Sequence, residues 1–186
     1  RDRIYRFDLI RHEILPDNIL MQSIDQYAER RTEEGRAGGD SSFSFVFSPK
    51  DVEAFRDKLY FAVTNIGLVE YDPALETVEI YDYEYICNHL GTLVNDPDLA
   101  LTDKVRSLRS FDDYLVLGYT RGIMRFDGES FSIISSDANV LYINKTKDGK
   151  ILYDQTKGLF VVDDDFSTVT EIPTEKNITG NRLKFL

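Results

Sequence analysis

His12 and His89 are the only imidazoles in this chain of 186 residues, and His89 follows closely on Tyr83 and Tyr85. A histidine beside phenols is the set from which general acid/base chemistry is assembled, since imidazole titrates near neutrality and a phenol can hold or give a proton. No cysteine or serine stands at the spacing of a nucleophile motif, so an imidazole that is merely solvated or packed explains the same residues without chemistry. Tyr81, Tyr83 and Tyr85 recur at period two, which places them on one face of a strand. There they either stack on sugar rings or fill an apolar interior. Asp96, Asp98 and Asp103, and the run Asp163, Asp164 and Asp165, are oxygen ligands in kind, but neither group has the spacing of a calcium loop. No catalytic residue, metal or cofactor is therefore assigned.

The elements that must position such residues come from a block that recurs three times: LYFAVTNIGLVEYD at 59–72, LVLGYTRGIMRFD at 115–127 and ILYDQTKGLFVVD at 151–163. Each copy is an apolar run ending in Thr64, Thr120 or Thr156, a polar step, a glycine (Gly67, Gly122, Gly158), a second apolar run and an aspartate (Asp72, Asp127, Asp163). Internal repeats of about 40 residues mean stacked supersecondary units. The glycines stand where the chain reverses and positive φ is needed. The recurring aspartates stand where turn aspartates bond local backbone. VRSLRSF at 105–111 and VLYINKT at 140–146 read as first strands, and TVEIYDY, SFSII and STVTEI as outermost strands. Leu59, Phe61 and Val63 alternate with the equally apolar Tyr60 and Ala62, so this strand needs cover on both faces. Four-stranded antiparallel units sandwiched between neighbours are the blades of a β-propeller. The fold class read from the sequence is all-β, a propeller of about four blades or an excerpt of a larger one. Residues 1–186 form a single domain or fragment on this reading.

Against the recurring residues, three that do not recur stand out: Asn65, Arg121 and Lys157 follow the threonine in successive copies and should project toward one end of the ring. With His89, Tyr83 and Tyr85 they form the candidate ligand-binding set, against the alternative of plainly solvated turns. Two stretches break the repeat. Residues 28–42 are charged and Gly-rich and read as a loop insertion, and 87–103 read as a long loop of the kind that carries binding residues on a rigid scaffold. NRLKFL at 181–186 resembles a first strand, and residues 3–14 resemble third and fourth strands, so the two ends either complete one blade or mark an excerpt from a longer run, which is the reading preferred here.

Charge narrows the partners. Acidic residues exceed basic ones, leaving a formal net charge of −11, and such a field disfavours phosphate backbones and anionic lipid. Nucleic acid is excluded as an expected partner, and a membrane is expected only through a segment outside this chain. A small molecule, an oligosaccharide or a protein remains, with a homodimer left open. Cys87 is the single cysteine, so there is no internal disulfide and no cysteine-rich zinc site.

LVLGYTRGIMRFDGESFSII resembles the two-component-regulator propeller repeat, whose pattern is an apolar strand, a small residue, Thr, two variable positions, Gly-apolar and aromatic-Asp. ILPDNILMQSI at 14–24 resembles that family's connection between blades, a Leu-Pro turn followed by Asn and the next first strand. The resemblance departs in two places. Tyr60, Val116 and Leu152 stand where the family usually places Trp, and Asp154 stands where Ala62 and Gly118 supply a small residue. The resemblance implies a non-catalytic sensory domain on the periplasmic or extracellular side of a membrane receptor, a histidine kinase or similar, recognising a small solute or oligosaccharide. An interaction scaffold, in a cytoplasmic setting, and a propeller carbohydrate lyase or hydrolase using His89 with Tyr83 or Tyr85 are the alternatives.

Overall fold

The computed structural model describes residues 5–8, 13–16, 18–33, 49–63, 66–90, 105–120, 122–136, 139–155, 158–163 and 168–172. The chain opens with a hairpin of β1 (Tyr5–Asp8) and β2 (Glu13–Pro16), then helix α1 (Asn18–Glu33). Three four-stranded antiparallel sheets follow, each a meander. The first is β3 (Pro49–Phe55), β4 (Lys58–Val63), β5 (Gly67–Asp72) and β6 (Thr77–Asp82), followed by helix α2 (Tyr83–His89). The second is β7 (Val105–Ser110), β8 (Leu115–Tyr119), β9 (Gly122–Phe126) and β10 (Phe131–Ser136). The third is β11 (Val140–Lys145), β12 (Ile151–Gln155), β13 (Gly158–Val162) and β14 (Val169–Ile172). The all-β class and the four-strand unit are as the sequence predicts.

Double-sided burial explains how the sheets stack. On β4, Tyr60 and Ala62 enter the core shared with Leu108, Leu117 and Phe126 of the second sheet, while Phe61 and Val63 face α1. On β8, Leu115 and Leu117 join that first seam and Val116 faces Ile143 and Tyr153 of the third sheet. One strand thus serves two cores, and each fully buried side chain of this size contributes about 1.5–3 kcal/mol. At Gly118 the third sheet comes so close that a Cβ would lie 2.7 Å from Val140 Cγ1. On the third sheet the equivalent Asp154 lies on the face turned away from the second, and partial burial raises its carboxyl above the usual range.

The turns follow their residues. Gly67 takes φ +132°, where a Cβ would collide with the Tyr81 carbonyl oxygen. Asp72 Oδ1 accepts from the backbone N–H of Ala74 and Leu75, and Asp127 Oδ1 from Glu129 and Ser130. Asp163 accepts from Lys150 Nζ at 3.0 Å, and residues 164–167, where its local turn partners would stand, lie outside the described residues. Thr64 and Thr156 lie outside the described residues.

A bulge not foreseen from the sequence recurs at the start of each first strand: Pro49/Asp51, Val105/Ser107 and Val140/Tyr142. It sets up a seam of polar contacts between neighbouring first strands. Asp51 Oδ2 accepts from Ser107 Oγ, the Leu108 N–H and Arg109 Nη1, and Glu53 Oε1 accepts from the Ser110 N–H and Oγ. At the next seam Ser107 Oγ, in the place of Asp51, accepts from the Ile143 N–H. Edge donors of β7 and β11 that lie in the seams are thereby given acceptors.

Four expectations are corrected. The connection at 14–24 leads into α1 and not into a strand, because Leu20, Ile24 and Tyr27 recur at helical spacing and all three are buried against Phe61, Val69 and Tyr71. The insertion placed at 28–42 is helical as far as Glu33, and 34–48 lie outside the described residues. The loop placed at 87–103 begins inside α2, and 91–104 lie outside them. The tyrosine stripe is also broken: the strand stops at Asp82, whose side chain accepts from the Tyr85 N–H at 2.8 Å and caps α2, so Tyr83 and Tyr85 are helical.

Candidate functional site

Helix α2 departs from the internal repeat. The second sheet passes to the third between Ser136 and Val140, whereas the first passes to the second only after α2, from Asp82 to Val105. Three anchors hold this helix. Tyr83 Oη accepts from the Val105 N–H at 2.9 Å, tying it to the start of the second sheet. Tyr85 packs edge-on to Tyr81, ring centroids 5.2 Å apart, beside the buried Ile86. Asp82 and Glu84 meet α1: Tyr27 Oη donates to Asp82 Oδ2 at 3.0 Å and Arg31 Nη1 to Glu84 Oε2 at 3.2 Å.

His89, four residues on from Tyr85 and therefore on the same helical face, is exposed and stacks on that ring with centroids 4.0 Å apart and planes 21° from parallel. Its Nδ1 lies 3.0 Å from the Tyr85 carbonyl oxygen. A carbonyl only accepts, so Nδ1 carries the proton and Nε2 of the neutral ring is an acceptor. The imidazole thus offers a fixed, preorganised ring and one polar nitrogen. The structure brings His89 to the ring of Tyr85 and commits Tyr83 to Val105. Asn65, Arg121 and Lys157 lie outside the described residues, between β4 and β5, β8 and β9, and β12 and β13. Among the described residues no group of side chains suited to a metal ion is found.

Beneath this surface lies a polar residue that sequence reasoning missed. Glu70 on β5 is 6% exposed and accepts from Tyr60 Oη at 2.9 Å and Tyr81 Oη at 3.0 Å, with Lys58 as its ion-pair partner. Its signal was a charged residue where the equivalent strands carry Arg125 and Val161, inside an otherwise apolar run. His89, Tyr85, Tyr81 and Glu70 form a continuous line from solvent to the core of the first seam.

Solved structures resemble this chain in fold. The extracellular domain of the one-component system BT4673 from B. thetaiotaomicron aligns over 94% of this chain with a TM-score of 0.60 and 13% identity. That of the hybrid two-component system BT3049 from the same organism aligns over 90% at 0.52 and 14% identity. The chain shares their fold. PorZ, a surface component of the type-IX secretion system of Porphyromonas gingivalis, aligns over 70% at 0.51 and 18% identity. The chain spans about a fifth of the length of each of these proteins, the shares being 20%, 18% and 21%. No family model matches the chain, and no curated protein sequence does. Among the described residues no helix is long and apolar enough to cross a membrane.

Proposed function

We propose that this chain is a run of β-propeller blades from the extracellular or periplasmic input region of a membrane receptor, a two-component histidine kinase or a relative of one. Its recognition surface is the end that bears α2. The observation that carries this reading is the placement of α2: a helix pinned on three sides and inserted between the first and second of three repeating sheets. Binding residues tend to sit on such additions, because the scaffold fixes them without depending on their sequence. The likeness in fold to two bacterial receptor ectodomains supports the receptor setting.

The ligand is a small solute or an oligosaccharide. Histidine rings offer sugars a flat face and Nε2 a partner for a hydroxyl, with Asn65, Arg121 and Lys157 as further polar groups of the set. The domain is non-catalytic on this reading and carries its signal through segments of the parent protein, including a homodimer. The test is thermal unfolding of the chain against a panel of solutes and oligosaccharides. A true ligand at 100 times its dissociation constant adds about 2.7 kcal/mol to stability. His89→Ala should abolish that gain while leaving the unliganded stability within about 0.5 kcal/mol. A panel without any gain, or a gain untouched by His89→Ala, would remove the recognition role from α2.

A further inference from the structure

The end of the stack opposite α2 holds two related sockets, one filled by Arg56 and one whose ring carries Lys145. At the first seam Arg56, in the turn between β3 and β4, lays its guanidinium over the Phe55 ring at 4.9 Å. Its two terminal nitrogens donate to the carbonyl oxygens of Asp127 at 2.6 Å and Asp113 at 2.9 Å. The internal repeat fixes what stands in each place at the second seam. Phe111 pairs with Tyr114 as Phe55 pairs with Lys58, so Phe111 replaces Phe55 and Asp112 replaces Arg56. Thr146 and Lys150 close the next turn around three residues instead of two, with Asp148 in its middle, and Asp163 replaces Asp127 at the end of β13. Phe111, Asp148 and Asp163 line a cleft of about 260 Å³ between the second and third sheets.

We propose that this cleft is a binding site for a guanidinium group supplied from outside the chain. Where Arg56 fills the first socket from within, Asp112 gives the second a carboxylate, and Asp112, Asp113, Asp148 and Asp163 outnumber Lys145 and Lys150 along its walls. Lys145 Nζ lies 5.0 Å from the Phe111 ring centroid and 3.5 Å from Asp112, so in the free protein that ring already carries a cation. Lys150 is held by Asp163 at 3.0 Å. A planar guanidinium with five donors engages a ring and two carbonyls at once, as Arg56 does, whereas an ammonium is a point charge. The incoming group therefore takes the ring from Lys145. This inference is independent of the receptor reading, since it concerns the other end of the stack.

The probe is methylguanidinium, with methylurea as the neutral isostere, followed by NMR through the Gly149 amide and the Phe111 and Tyr114 rings. Saturable shifts with methylguanidinium and none with methylurea are expected. Asp112→Arg, which copies Arg56 into the second hairpin, should abolish saturation. Lys145→Gln, which removes the resident cation, should tighten binding at least threefold and serves should Asp112→Arg fail to fold. A blocked Arg tripeptide binding more tightly than methylguanidinium would point to an arginine side chain as the source, and equal binding to a free solute. No saturable shift, equal shifts with methylurea, or binding unaltered in both variants would overturn the proposal.

Discussion

Asp51 reaches across the first seam to Leu108, its Oδ2 accepting the backbone N–H at 2.9 Å, and the same carboxylate holds Ser107 Oγ at 3.0 Å and Arg109 Nη1 at 3.2 Å. One side chain thereby occupies an edge donor of β7 and fixes which strand lies beside which. Hydrogen bonds to a charged group contribute about 1.5–3 kcal/mol, so Asp51→Ala should lower unfolding stability by about 2 kcal/mol, and Asp51→Asn by about half as much. Urea denaturation measures both. A loss under about 0.5 kcal/mol for Asp51→Ala would mean that apolar contact alone aligns the sheets.

Gly118 permits the close approach of the third sheet, with Val140 Cγ1 and Ile143 Cδ1 at 2.7 and 3.0 Å from where a Cβ would be. Gly118→Ala should cost about 1–3 kcal/mol by overpacking. Combining it with Val140→Ala should recover about 1 kcal/mol relative to the sum of the single changes. Strict additivity of the pair would show that the two residues do not press on each other.

Arg56 and Asp57 both take positive φ, 49° and 62°, in the turn between β3 and β4. Neighbours with one backbone class should respond with opposite signs. Asp57→Gly relieves a left-handed residue and should stabilise by about 0.5 kcal/mol. Arg56→Gly relieves the same strain but loses the guanidinium bonds to Asp113 and Asp127, and should destabilise by about 1 kcal/mol. Equal signs in thermal unfolding would contradict the bridging role of Arg56.

Tyr27, Tyr60 and Tyr81 have phenols raised above their ordinary range. Burial is the largest cause in each, followed by the charge of Asp82 at Tyr27 and by the charge and hydrogen bond of Glu70 at the other two. The folded chain therefore keeps protons that the unfolded chain releases above about pH 10. That contribution is complete below about pH 10 and is lost as the pH climbs toward the folded values, by up to about 1.4 kcal/mol per pH unit for each phenol. Tyr81→Phe should flatten the alkaline fall in stability. An unchanged slope would mean that Tyr81 ionises alike in both states.

The stacked sheets were legible because their signals are local and repeated: Gly67, Gly122 and Gly158 mark one reversal, Asp72 and Asp127 another, and Tyr60 with Phe61 or Leu115 with Val116 declares two buried faces. The helices were not, for two reasons. In TVEIYDYEY the alternation of tyrosines imitates a strand through the point where Asp82 caps a helix, and period two conceals the four-residue spacing from Tyr85 to His89. In α1 the stripe Leu20, Ile24, Tyr27 is narrow and interrupted by Gln22, Ser23, Asp25 and Gln26, so its period shows only once the sheet it covers is known. The contacts of Asp51 and Arg56 run from a side chain to backbone groups far along the chain, and no pattern in one strand announces them.

The recognition role of the α2 end is tested most directly by an amide and aromatic NMR map of the chain during titration with pooled solutes and oligosaccharides. Saturable shifts centred on Tyr85, Ile86 and His89, lost in His89→Ala and absent from the turns at Asp57, Asp113 and Gly149, are the predicted result. A complete pool that leaves α2 unshifted, or shifts confined to the opposite end, would contradict it.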